Sequence, residues 1–274
     1  MVADITQLVL PRPSDNCRQV IEILSSTDPN FKALDTTLSR NEELSNAIIK
    51  FSNSPFHHRE SEIDDVNTAI NMLGLANVYN AVVTTVLKEY TQDNVTGNRI
   101  LQHCITISAL SSFVASKTSK FLQHELELLG LLHDLPSMVL CHNFKPEYRA
   151  LVKGQSKTSS PLEQVEQEIF GLDRCVLLGL AMRELGLPDK MSNILTQYHS
   201  ISAPEHAEKD QYLSILSLAH HMETSVVSEK LRLFDTLPGD RESLQAKLVI
   251  SDDDYSTLIN ESRDVINEHV ALVA

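Results

Sequence analysis

The sequence predicts an all-α protein. Apolar residues recur at helical spacing along most of its length. Glycine is scarce, with 8 in 274 residues, and tryptophan is absent. Alternating β-branched text, the mark of half-buried strands, is rare. A hydrophobic fraction of 42% is enough for a sizeable core. The length allows one large domain or two small ones.

The elements follow in order. Pro11 and Pro13 hold an extended lead-in, and Ser14 or Asp15 can cap a helix over 16–25. Val20, Ile21 and Leu24 share one face of it. A second helix is expected over 31–38 and a third over 41–53. Leu44, Ala47, Ile48 and Phe51 form the apolar stripe of the third, and Pro55 stops it. Residues 54–62 read as a loop. Helix returns over 64–73, is capped by Gly74, and resumes over 76–90.

Residues 94–98 read as a polar break. The next segment, 99–118, is apolar on nearly all sides, through Ile100, Leu101, Ile105, Ile107, Leu110, Phe113 and Val114. Such a helix belongs at the centre of a domain. A leucine-rich helix over 124–132 ends at His133 and Asp134. Residues 153–160 read as loose and polar. Further helices are expected over 161–170, 174–185, 189–198 and 211–228. Ser251 and the acidic run Asp252, Asp253 and Asp254 suit the start of a last helix reaching Val270. No solenoid-length repeat is visible. The organisation expected is a helical lobe over 1–95, a bundle over 96–230 and a C-terminal extension over 231–274.

Charge and composition exclude several classes. A formal net charge of -14 repels phosphate backbones, so no nucleic acid is expected as a partner. Cys17, Cys104, Cys141 and Cys175 are scattered and form no zinc-finger pair. Met1 to Leu10 lacks a basic leader, and no apolar run is expected to reach the roughly 20 residues of a spanning helix. These readings predict a soluble cytoplasmic protein with no membrane partner.

Three short motifs stand out. Asn53-Ser54-Pro55-Phe56 is followed by Ile63 and by Asn67 through Gly74. Gly130-Leu131-Leu132-His133-Asp134-Leu135 is the second, and Gly186-Leu187-Pro188 with Tyr198-His199 is the third. In this order and spacing the set resembles the HDOD domain family, over roughly residues 8–270. The resemblance implies a helical bundle like that of the HD phosphohydrolase superfamily, with the N-terminal lobe packed on it. It also implies a role in bacterial signal transduction, since many HDOD domains act as regulatory modules without catalysis.

In the superfamily the bundle surrounds a metal site built from histidines, a His-Asp pair and a late Asp. Carried over residue by residue, His103, His133 and Asp134 occupy matching positions. The late Asp corresponds to His220. The family's His after Asp173 is replaced by Arg174, which has no lone pair to give a metal. The family's His-His pair is reduced to His199-Ser200. The Gly-Lys after the His-Asp pair is replaced by Pro136-Ser137, removing a cation that could meet phosphate. Arg174 can pair with Asp173 or a nearby glutamate, or place its charge where a metal would sit.

A two-metal site is therefore not expected. The cofactor expectation is none, or a single divalent Fe, Mn, Mg or Zn held by His103, His133, Asp134 and His220. Without a metal, His133 and Asp134 would tie two helices together by hydrogen bonds. Arg174 and His199 are expected beside this pocket. Asn53 and Ser54 are expected to form a cap and turn, with Asn53 suited to a left-handed conformation. The function expected is a regulatory or interaction module that presents a groove between its lobes to a signalling protein or a nucleotide-like ligand. The alternative is a metal-dependent phosphohydrolase acting on a nucleotide or phosphoester.

Overall fold

The computed structural model describes residues 4–26, 28–53, 62–155, 162–200, 211–227 and 239–271. The described residues form helices and no strands. The order is α1 (Asp15–Ser25), α2 (Phe31–Ser39), α3 (Glu42–Ser52), α4 (Val66–Thr91), α5 (Val95–Thr118), α6 (Gln123–Leu132) and α7 (Leu135–Asn143). Then come α8 (Lys145–Gln155), α9 (Leu162–Phe170), α10 (Arg174–Glu184), α11 (Asp189–Ser200), α12 (Gln211–Val226), α13 (Arg241–Lys247) and α14 (Asp252–Ala271). The all-α expectation holds.

Local chemistry sets many of the boundaries. Ser14, Asn30, Asn41, Asp65, Asn94, Asp173 and Asp240 each accept a hydrogen bond from a backbone N–H of the first turn they precede. Each cap satisfies a donor that the helix itself leaves unpaired. Ser251 does the same for the last helix, accepting from Asp254 N at 3.1 Å.

Several expectations need correction. The polar stretch 94–98 is not a break: Asn94 caps α5, which starts at Val95. Helices α7 and α8 occupy a region for which no helix was named. Pro136 stands at the start of α7, where a missing N–H costs nothing. Helix α8 runs on to Gln155, into the stretch expected to be loose, and residues 156–161 lie outside the described residues. Helix α13 was not anticipated. The expectation of two helices parted at Gly74 is met, since Gly74 breaks the helical conformation at φ 74° and ψ 163° inside the range given as α4. Asn53 follows α3 with φ -87°, so it is not left-handed. Its amide closes the following loop instead, donating to Ile63 O at 2.6 Å and accepting from Ile63 N at 2.8 Å. Ser54 lies outside the described residues.

By length and composition alone α4 is apolar enough to cross a membrane, as a buried core helix can be, and it is kinked at Gly74. Half of its most apolar window is buried against the rest of the protein, and it packs on α1, α3 and α5.

Helix α5 is the axis of the fold. It contacts α4, α6, α7, α12 and α14. Ile100, Leu101, Ile107, Leu110 and Val114 on it are all essentially inaccessible. Each such side chain contributes about 1.5–3 kcal/mol through burial. The tightest contact is with α6. A Cβ at Gly130 would lie 2.6 Å from Ser108 Cα and 2.9 Å from Ile107 O. Those are backbone atoms of α5, which cannot move aside cheaply. Ser108 also donates its hydroxyl to Glu127 O at 2.6 Å, pinning the two helices at the same level. Gly130→Ala is expected to lower stability by roughly 2–4 kcal/mol, as read from urea unfolding. A loss below about 0.5 kcal/mol would show that the two helices can separate freely.

Helix α6 also places Glu127 against the first helices of the chain. Glu127 and Asn80 of α4 are 7% and 4% exposed. Burial pushes the Glu127 carboxyl up to about 7, although the nearby Asn80 amide draws it down. An unfolded chain would ionise this group near 4.5. Between these values the folded state holds more protons than the unfolded state, so this stability is lost as pH rises through about 7. The full effect is roughly 3 kcal/mol. Relative to Glu127→Gln, the native protein is expected to weaken by about that amount between pH 4.5 and 8 in chemical denaturation. Parallel pH profiles would show that Glu127 ionises freely.

Candidate functional site

Four helices and one helix junction deliver side chains to one buried point. Helix α5 supplies His103. The junction of α6 and α7 supplies His133 and Asp134, because Asp134 leaves the helical conformation at φ -104° and ψ 22°. Helix α12 supplies His220 and Glu223, which share a face at i and i+3. Helix α10 supplies Arg174 at its first turn, and α9 supplies Glu166. All of these residues are buried.

The imidazoles are oriented from behind. His133 Nδ1 lies 2.7 Å from Gly130 O, and His220 Nδ1 lies 2.9 Å from Leu216 O. A carbonyl oxygen only accepts, so each Nδ1 donates to it. His103 Nδ1 lies 2.8 Å from Glu223 Oε1 and donates to that carboxylate. Tyr198 Oη also stands 3.2 Å from His220 Nδ1. The three Nε2 atoms are thereby turned inward. His133 Nε2 lies 3.2 Å from His103 Nε2 and 3.1 Å from His220 Nε2. Asp134 Oδ2 is 3.8 Å from both His103 Nε2 and His133 Nε2.

Burial and the two neighbouring imidazoles hold His133 well below the usual histidine range, despite Asp134. His220 is pushed down to about 4, by burial first and by His103 second. Burial pulls His103 down as well, but the charge and hydrogen bond of Glu223 outweigh it, and its pKa is raised. A neutral His133 offers only a lone pair at Nε2. An electrophile is therefore needed between these nitrogens, either a proton or a metal ion.

The donor set fits one metal ion. Ligating histidines characteristically donate their other ring N–H to a carbonyl or carboxylate, as all three do here. Nitrogens bound to one ion at about 2.0–2.1 Å lie roughly 2.9–3.4 Å apart at octahedral to tetrahedral angles. The observed spacings of 3.1 and 3.2 Å fall in that range. The ligand atoms of all three histidines lie within 4.8 Å of one another.

The other side of the doublet is closed by Arg174. Its Nη2 bonds Asp134 Oδ1 and its Nη1 bonds Glu166 Oε2, and Nη1 also reaches Ser137 Oγ at 2.9 Å. Tyr148 donates to Glu166 Oε1 at 2.6 Å, and Ser137 donates to the same oxygen at 3.1 Å. Burial works against the Arg174 charge, but Glu166 and Asp134 more than restore it, and the guanidinium stays protonated. Burial pushes Glu166 up more than Arg174 and Tyr148 draw it down.

The HDOD domain matches residues 10–201 of the chain. The chain belongs to the HDOD family. Among solved structures, an HDOD domain protein of unknown function from Geobacter sulfurreducens is 17% identical, with a TM-score of 0.74 over 98% of this chain and 94% of that one. A protein from Shewanella amazonensis SB2B, provisionally named a metal-dependent phosphohydrolase, is 15% identical, with a TM-score of 0.67 over 98% and 94%. A protein from Marinobacter aquaeolei VT8, provisionally named a signal transduction protein, is 17% identical, with a TM-score of 0.73 over 96% and 60%. At such identities the likeness is one of fold. No curated protein matches the chain.

The HDOD chain thus brings His103, His133, Asp134 and His220 together. Arg174 reaches Asp134 and Glu166 rather than Asp173, which is occupied as the cap of α10. The side chain of His199 lies outside the described residues, as do His57 and His58. His142 is engaged elsewhere, stacked on Tyr90 with its Nδ1 3.0 Å from Tyr90 O. Glu223 and Glu166 were missed in the sequence. Glu223 was findable, three residues after His220 on the same helical face. Glu166 carried no local signal, since only the folded chain sets α9 beside α7 and α10.

Removing one partner of a buried ion pair strands the other charge, typically at about 3–5 kcal/mol. Arg174→Met strands both Asp134 and Glu166 and is expected to cost that much in urea unfolding. Arg174→Lys is expected to recover less than half of it, because an ammonium cannot fork between two carboxylates. A loss below about 1 kcal/mol for the Met variant would mean that the two carboxylates do not depend on Arg174.

Proposed function

We propose that this HDOD protein is a regulatory or interaction module of bacterial signal transduction, and that it does not hydrolyse phosphoesters. The observation that carries this reading is the Arg174 guanidinium bonded to Asp134 Oδ1. A carboxylate oxygen committed to a permanent cation is not free to bridge a second metal ion. Phosphoryl transfer on paired ions needs both sites, to clamp the attacking and the leaving oxygens. In this reading the protein works in the cytoplasm through a signalling protein partner and a small ligand.

A second reading has its own support. The converging nitrogens of His103, His133 and His220, with Asp134 Oδ2 beside them, would hold one divalent cation. Three imidazoles favour Fe, Zn or Mn over Mg, which prefers oxygen ligands. Such an ion, when bound, supplies a Lewis acid and an acidified water. The chain's own contribution is orientation: Gly130, Leu216 and Glu223 hold the rings, and Arg174 holds Asp134. The relative provisionally named a metal-dependent phosphohydrolase lends this alternative support by fold alone.

Elemental analysis of the purified protein, paired with turnover of bis-p-nitrophenyl phosphate in added manganese or iron, separates the two readings. The expected result is at most one equivalent of divalent metal, lost in His133→Ala, and no turnover above that variant. Brisk turnover above that variant, with one equivalent of metal or two, would overturn the regulatory reading.

A further inference from the structure

A cavity of about 650 Å³ opens between α3 and α4 on one side and α5 and α6 on the other. That size lies within the roughly 300–1,000 Å³ of small-molecule sites. It lies across α5 and α6 from the histidine cluster. Ile105 and Leu131 line it and stand two residues from His103 and His133, and two residues turn an α-helix by about 200°. Leu101 and Ala81 extend the same apolar wall. All four are at most 5% exposed.

One carboxyl group on this lining has no counter-ion. Glu127 lines the cavity and is 7% exposed. The Asn80 amide steadies its ionised form, and no cation among the described residues does so. An ionised carboxylate accepts at both oxygens, more than one amide can fill. The two lysines of the lining stand at the other end of the cavity. Lys88 is eight residues along α4 from Asn80, a rise of about 12 Å, and Lys50 is near enough to lower the pKa of Lys88. Glu43 and Glu89 on the same lining match the two lysines in number, so these four charges cancel formally. Glu127 is the fifth charged group there, and once ionised it leaves the lining with a formal charge of -1. A buried charge without a partner is costly, and a cation brought against it offsets that cost.

We infer that this cavity binds a primary alkylamine, with the ammonium on the Glu127 carboxylate and the carbon chain along Leu101, Ile105 and Leu131. An ammonium carries three donors and no acceptor, so it suits a group that only accepts. A lysine-like stem covers apolar surface while its head stays with the charge. A neutral alcohol of equal length meets the same wall but leaves Glu127 unpaired. A carboxylate of equal length adds a second negative charge beside it. Such an amine is the small ligand of the regulatory reading, and the inference rests on that reading only for the use made of binding. Binding itself is measured separately from turnover.

The test is calorimetric titration of the full chain with hexylamine, hexan-1-ol and hexanoate in matched sodium chloride, with Tm as a second readout. It is run at about pH 8, where Glu127 is ionised and the amine is protonated. Hexylamine is expected to bind at least tenfold more tightly than hexan-1-ol and to raise Tm, and hexanoate to bind more weakly than either. Glu127→Gln keeps the shape and removes the charge, and is expected to bring hexylamine down to the hexan-1-ol level. Its thermal transition verifies that it folds. Ala47→Leu, on the α3 side of the lining, narrows the cavity and leaves Glu127 in place. It is expected to weaken hexylamine at least fivefold. Equal affinity for hexylamine and hexan-1-ol, neither heat nor a rise in Tm at millimolar hexylamine, or an affinity unchanged in either variant would overturn the inference. Phosphodiester turnover with normal hexylamine binding would overturn the regulatory reading alone.

Discussion

The site is organised around one buried positive charge. Arg174 lies within the protein, where an isolated ion would be prohibitively expensive. It is tolerated because Asp134 and Glu166 flank it and Ser137 joins the network. The pairing ties α7, α9 and α10 to the α6–α7 junction. It also orients Asp134, with Oδ1 on Arg174 and Oδ2 toward the histidines. The chemistry open to the doublet is thus decided by a residue that cannot itself be a ligand.

Helix α5 provides the frame within which that charge can be placed. It is buried along most of its length, and its close approach to α6 at Gly130 brings His103 beside His133. The same approach explains why a glycine precedes the His-Asp doublet by three residues. Any side chain there would push the helices apart and pull the two imidazoles out of register. Packing and site geometry are here a single constraint.

Much of this was legible in the sequence. Helical periodicity and cap residues placed most helices, and the motif positions of His103, His133, Asp134 and His220 converge in space. The misses share a physical cause. Asn94 looked like a break because a cap and a loop use the same residue type, and only the hydrogen bond to the following N–H tells them apart. Pro136 restarts the chain as α7, being a breaker inside a helix but harmless at its start. Glu166, Glu127 and Asn80 matter through neighbours far away in sequence, and no periodicity reports such pairs. Arg174 was visible as a departure from the family pattern, but its partners required the fold.

Charge counting links the arginine to the question of how many ions the site can take. Asp134, Glu166 and Glu223 face a single guanidinium, so with neutral imidazoles the buried cluster carries a formal charge of -2. That deficit is what one divalent cation would neutralise. With a neutral ligand in place of Arg174 the deficit would be larger, and a second ion would have something to balance. Arg174 therefore supplies one positive charge to the balance, but a guanidinium has no lone pair or open coordination position and cannot activate water. The arginine thus leaves the cluster with the charge that a single divalent ion would balance, and with Asp134 Oδ1 already bonded.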